Sequence, residues 1–151
     1  MYKLLVIFFF FLSFSLFAQN SQSFTLTYNH QALLVKNLER SSAFYTDILK
    51  LKEIQNLTGF DFIRWFSTGK GTQLHLIQGE TKNIVTNKGV HLAFSTSNFA
   101  RFIEFLDIKE INYVNYVGDK NEPNVRADGV KQIYIQDPDG YWIEINDAGI
   151  E

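Results

Sequence analysis

The segments 30-HQALLVKNLERSSAF-44 and 91-HLAFSTSNFARFIEF-105 decide the fold, because they are one pattern written twice. A shift of 61 residues lays His30 on His91, Ala32 on Ala93, Asn37 on Asn98, Arg40 on Arg101 and Phe44 on Phe105. Each copy opens at a histidine in an apolar, strand-like run. It then passes through a polar cap, Asn37 or the Ser97–Asn98 pair, into a helix. A repeat constrains the architecture more strongly than any single element can. Further strand-like runs follow in both copies, so the expectation is βαβββ twice. That is an α+β domain of two similar modules, about 24–79 and 89–147, related by a pseudo-twofold.

In the first module, Ser23–Lys36 reads as a long strand on its β-favouring and apolar positions. Leu38 to about Leu49 reads as a helix capped by Asn37, with Glu39 complementing the helix dipole. Leu51–Ile54, Asp61–Phe66 and Thr72–Gln78 follow as strands, separated by turn material at Thr58-Gly59 and Ser67–Gly71. The polar stretch Gly79–Gly89 links the halves. The second module reads as a strand Val90–Thr96, a helix Asn98–Leu106, a strand Ile111–Val117 and a long polar loop Gly118–Gly129. Val130–Gln136 and Tyr141–Asn146 then form a hairpin around Asp137-Pro138-Asp139-Gly140, where Pro and Gly preset the turn dihedrals.

Composition narrows the function. Lys3, the apolar run Leu4–Phe17 and Ala18 before Gln19 form the pattern of a secretory signal peptide over residues 1–18. The run is short for a membrane span, which needs about 20 residues. The expectation is a protein exported to the periplasm or exterior, with a single mature domain at 19–151 and no membrane association once the leader is removed. The chain has no cysteine, which excludes disulfides and thiol nucleophiles. A net charge of −2 and the lack of a basic patch argue against nucleic acid. No nucleotide-binding glycine loop is present, so kinases and dinucleotide enzymes are out of contention.

The three histidines, His30, His75 and His91, all lie in strand-like runs, and Glu144 lies in a fourth. His75 and Glu144 occupy the matching late strands Leu74–Ile77 and Ile143–Ile145. A strand sends alternate side chains to one face, so one such residue on each of four neighbouring strands can converge on a point. Three imidazoles and a carboxylate make a site for one divalent transition metal, zinc, nickel, manganese or iron. Taken singly, a strand histidine is more often a hydrogen-bonded structural residue. The joint pattern, two histidines equivalent by the repeat and one polar intruder in each late strand, favours ligands. Glu144 is the most telling, because a carboxylate between Ile143 and Ile145 is costly on a core-facing position unless paired or coordinated.

The stretches HQALLVKNLERSSAFYTDILKLKEI, GVHLAFSTSNFARFIEFL and QIYIQDPDGYWIEIND resemble the vicinal oxygen chelate superfamily: glyoxalase I, bleomycin-resistance proteins and extradiol dioxygenases. The resemblance implies paired βαβββ modules rolled into an incomplete barrel around a metal site. It places His30, His75, His91 and Glu144 at the ligand positions. It further implies a small-molecule substrate with two neighbouring oxygens, and a homodimer in which such units pair or exchange halves. For glyoxalase-like isomerase or lyase chemistry, Glu144 would be catalytic base as well as ligand. His75 stands where glyoxalase I usually has a glutamate, and Leu34 where it has a glutathione-contacting arginine. The expectation is therefore glyoxalase-like without dependence on glutathione.

Two alternatives stay open. An extradiol-type dioxygenase would use His30, His91 and Glu144 on iron, with His75 set back. A bleomycin-resistance-like protein would bind a small molecule without catalysis, though such proteins tend to lack the ligands. Weaker substrate-binding candidates are Arg64, Arg126 and Lys131, as cations for an anionic group, and Tyr134 and Trp142, with Trp65, as pocket walls. Salt bridging and core packing are the ordinary roles for these residue types.

Overall fold

A computed structural model describes residues 24–149, so the leader read at 1–18 lies outside the described residues. The two asparagines that mark the repeat act alike. Oδ1 of Asn37 accepts the Arg40 N–H at 2.9 Å, and Oδ1 of Asn98 accepts that of Arg101 at 3.1 Å. Each satisfies an amide that the first helical turn would leave unpaired. They open α1 (Leu38–Asp47) and α2 (Phe99–Ile108).

Each helix belongs to a four-stranded sheet. The first contains β1 (His30–Val35), β2 (Lys52–Ile54), β3 (Ile63–Gly69) and β4 (Thr72–Gln78) in the order β1-β4-β3-β2. The second contains β5 (His91–Ser95), β6 (Asn124–Val125), β7 (Lys131–Gln136) and β8 (Trp142–Asn146) in the order β5-β8-β7-β6. In both, the first and last strands pair parallel and the rest antiparallel. The repeat extends to the register. Ala32 pairs with His75 and His75 with Trp65; correspondingly, Ala93 pairs with Glu144 and Glu144 with Tyr134.

Alternation divides each sheet into two faces. Leu33, Val35, Phe66, Leu74 and Leu76 from the first sheet, and Ile133, Ile135, Ile143 and Ile145 from the second, are buried with Leu38, Tyr45 and Leu106 of the helices in one core. Each such side chain contributes about 1.5–3 kcal/mol by leaving water. The opposite face of each sheet stays open, with His30, Ala32, His91 and Ala93 exposed.

The β7–β8 turn couples the modules. The Tyr45 hydroxyl donates to Asp137 at 2.8 Å, the Ser41 hydroxyl to Asp139 at 2.6 Å, and the Lys36 N–H to Asp139 at 2.7 Å. Tyr141 donates its hydroxyl to the Leu34 carbonyl at 2.9 Å. Gly140 takes φ +87°, the left-handed region that glycine enters without a steric penalty. Burial pushes the Asp137 carboxyl above its ordinary range, even though Tyr45 and two backbone amides donate to it.

The structure departs from the sequence expectations in three places. β1 starts at His30, leaving 24–29 outside any strand, and β3 runs Ile63–Gly69 instead of ending at Phe66. Ile111–Val117 is not a strand; only Val114 bridges, to Tyr134 and Lys120. There Asn115 bends the chain by accepting the N–H groups of Gly118 and Asp119 at 2.8 and 2.9 Å, a local bond that competes with a ladder. The vacant strand position is filled by β6, from within the expected loop. The modules themselves form two four-stranded sheets with no closed barrel, as expected of paired βαβββ modules in an α+β domain.

Candidate metal and substrate site

Glu144 is central to the open face of the second sheet. β8 places it between Ile143 and Ile145, whose side chains go to the core, and it is itself only 4% exposed. Its Oε1 accepts from Asn146 at 2.7 Å and from Arg126 at 3.2 Å. Its Oε2 accepts from the Tyr134 hydroxyl at 2.8 Å and lies 3.3 Å from Nε2 of His91. Burial by itself would raise the Glu144 pKa. The hydrogen bonds from Asn146 and Tyr134, with the charges of His91 and Arg126, outweigh it and hold the carboxyl below its ordinary value. Burial and the same hydrogen bond raise the Tyr134 hydroxyl, which therefore stays a donor.

The His91 ring is held by an acceptor on its other nitrogen. Nδ1 lies 2.8 Å from the Lys88 carbonyl, which can only accept, so Nδ1 carries the proton. The other nitrogen, Nε2, faces the Glu144 carboxylate, so a nitrogen and an oxygen ligand atom stand side by side. The 3.3 Å between Nε2 and Oε2 also matches the edge of a tetrahedral site, about 3.3–3.4 Å for bonds of about 2.0–2.1 Å. The donor pair fits a divalent ion.

The first sheet presents a column of rings. His75 stacks on His30 with centroids 4.4 Å apart and on Trp65 at 4.3 Å, nearly parallel in both cases. Nδ1 of His30 bonds the Asn29 side-chain oxygen at 2.7 Å, and Nε2 of His75 bonds that of Gln73 at 2.7 Å. In all three histidines one ring nitrogen meets an oxygen close by in the chain, which fixes the ring's orientation as metal-binding imidazoles need. Desolvation, then the neighbouring His30, lowers the His75 pKa, so that ring stays neutral. The Trp65 indole N–H is buried without a hydrogen-bond partner.

The four expected ligands thus appear as two pairs, His30 with His75 and His91 with Glu144. Among the described residues, no group of three or more such side chains is gathered where a metal could be held. The shared core is the reason, since the sheets pack through their other faces and each pair remains with its own module. The open faces border a common groove of about 460 Å³ beside β1 and β5, walled by Ala32, Leu34, Ile77, Val90, His91 and Trp142.

The weaker candidates separate cleanly. Tyr134 and Trp142 share the Glu144 face by register. Arg126 reaches Glu144 but is also paired with Asp128 at 2.5 Å. Arg64 is bound to Glu39 of α1 and to Glu53, and Lys131 lies on the strand parity of Ile133, so both belong to the helix side of their sheets. Asn146, a donor to Glu144 that the sequence reading missed, carries a parity signal two residues on. Lys88, in the linker, carries none.

The Glyoxalase-like domain family matches residues 28–148, spanning both modules and the linker. The uncharacterized protein YwbC of Bacillus subtilis (strain 168) is 26% identical over 122 residues, covering 77% of this chain and 93% of YwbC. Oxidase ChaP-H2 superposes with a TM-score of 0.68 at 22% identity, covering 83% of this chain and 96% of that one. Fosfomycin resistance protein FosX from Mesorhizobium loti gives 0.62 at 19%, covering 84% and 96%. Likeness at that level is one of fold, and one fold serves many chemistries.

Proposed function

Because the chain belongs to the Glyoxalase-like domain family, we propose that it is an exported, metal-dependent enzyme of the vicinal oxygen chelate type. Its reaction is an isomerase or lyase step on a small substrate with two neighbouring oxygens. The observation that carries this reading is the His91–Glu144 pair, an imidazole nitrogen and a buried carboxylate oxygen 3.3 Å apart with the second imidazole nitrogen anchored on a carbonyl. His91 and Glu144 would hold the ion with His30 and His75. A bound divalent ion supplies Lewis-acid stabilisation of negative charge on substrate oxygens. Glu144, with three donors and a depressed pKa, serves better as an anionic ligand than as a proton acceptor.

The complete ligand set is assembled by a second copy, the first module of one chain meeting the second module of the other. Apolar residues exposed beside the open faces, among them Tyr28 and Val90, support such an association. The test is metal content by mass spectrometry with subunit complementation. His30→Ala and Glu144→Ala each lose the ion. Mixing the two after unfolding and refolding restores one intact site in each mixed dimer, so about half the wild-type metal per mixed dimer returns. Metal bound at full stoichiometry by a monomer would overturn the shared site, and no metal after reconstitution would leave a non-catalytic binding protein.

A second reading rests on His75, sandwiched between Trp65 and His30. If that ring stays in its stack, His30, His91 and Glu144 form a two-histidine, one-carboxylate set suited to iron and oxygen. Iron in the purified protein favours that reading; zinc or nickel favours isomerisation.

A further inference from the structure

The linker between the modules contributes a cation to the open face of the second sheet. Nζ of Lys88 lies 5.3 Å from the Trp142 ring centroid and 5.7 Å from that of Tyr134, and donates to the Asn115 carbonyl at 3.0 Å. Both rings stand on the strand face that carries Glu144. We propose that Lys88 binds an oxyanion of the ligand, a carboxylate or a phosphate group, above Tyr134 and Trp142. This rests on the reading that this face is the reaction site.

Charge accounting supports the assignment. No ion pair among the described residues involves Lys88, and unlike the other unpaired lysines it stands over the rings of the Glu144 face. The residue is half-buried, and the Asn115 carbonyl takes only one of the three N–H groups of its ammonium. A partly desolvated cation without a counter-charge attracts an anion more strongly than a hydrated one. The ordinary alternative is a cation–π contact that caps the Asn115 carbonyl and nothing more. The place of Lys88 argues for more. Its own carbonyl holds Nδ1 of His91, so one residue orients a candidate ligand of the metal and turns a charge toward the same face. The rings beneath the ammonium suit a flat or apolar body attached to the anionic group.

The experiment uses the full protein, metal-free and metal-loaded, with phenyl phosphate followed by 31P NMR and benzoate followed by calorimetry. Wild-type protein should bind at least one probe at millimolar concentration or below, and which one identifies the anion class. Lys88→Met should weaken binding by about tenfold, the loss of one charge-assisted bond. Lys88→Arg should recover much of it, while both variants keep wild-type metal content and thermal unfolding. Equal binding by Lys88→Met and wild type, or no binding of either probe by wild type, overturns the proposal. Lys88-dependent anion binding in a protein that takes up no metal would sink the metal reading and leave this one standing. A Lys88→Met variant with a lowered unfolding temperature that Lys88→Arg repairs without regaining anion binding would assign Lys88 a structural role only.

Discussion

Glu144 shows at the residue scale how a buried carboxylate is tolerated in a β-strand. Four polar neighbours replace the water it loses, and the cost of burial is thereby reversed into a lowered pKa. His75 obeys the complementary rule for a base. The folded protein holds its pKa below 6.5, chiefly by desolvation, whereas the unfolded chain does not. The unfolded state therefore binds the proton more readily, so the His75 contribution is intact above about pH 6.5 and is lost as the pH falls below it. His75→Gln is expected to flatten stability against pH between about 7 and 5, read from urea midpoints. Glu144 acts with the same sign in a lower window, so the variant should retain an acid limb below about pH 4.5. An unchanged profile around pH 6 would show that His75 is no more buried than an ordinary surface histidine.

At the scale of elements, equivalent positions in the repeat carry equivalent loads. Asn37→Ala and Asn98→Ala each remove a helix cap and should cost about 1 kcal/mol, measurable by equilibrium urea unfolding. A far smaller loss in one of them would break the functional equivalence of the copies. The β7–β8 turn does more than reverse the chain, since its two aspartates receive Tyr45, Ser41 and the Lys36 amide from the other module. Tyr45→Phe removes a buried donor to a carboxylate and should destabilise by about 1.5–3 kcal/mol. Its signature is a shifted midpoint with an unchanged denaturant slope, because the modules still unfold together. A second transition would instead mean that the turn is what makes the modules one cooperative unit.

For the whole molecule, the decisive fact is which sheet faces the shared core uses. Packing through Leu33, Phe66, Ile133 and Ile143 joins the modules and leaves both ligand pairs on open faces. If two copies complete the site, metal affinity must depend on protein concentration, since diluting the dimer divides every ligand set. Metal retention followed over a dilution series, alongside sedimentation, should fall in step with dissociation. Retention independent of dilution would place all the ligands within one chain.

The doubled module, both helices with their caps, the hairpin turn and the strand parity of His91, Glu144, Tyr134 and Trp142 are local facts. They follow from a period of two in strands, cap chemistry and a repeat of 61 residues, and each was legible in the amino-acid sequence. Tertiary structure decided what depends on contacts between distant segments. Asn115 turned an apparent strand into a bend, Arg64 was claimed by α1, and Lys88 came from a featureless linker to lie over two rings. It also decided that the four candidate ligands appear as two pairs. A sequence specifies which face of a strand is apolar, but only packing determines what the other face meets.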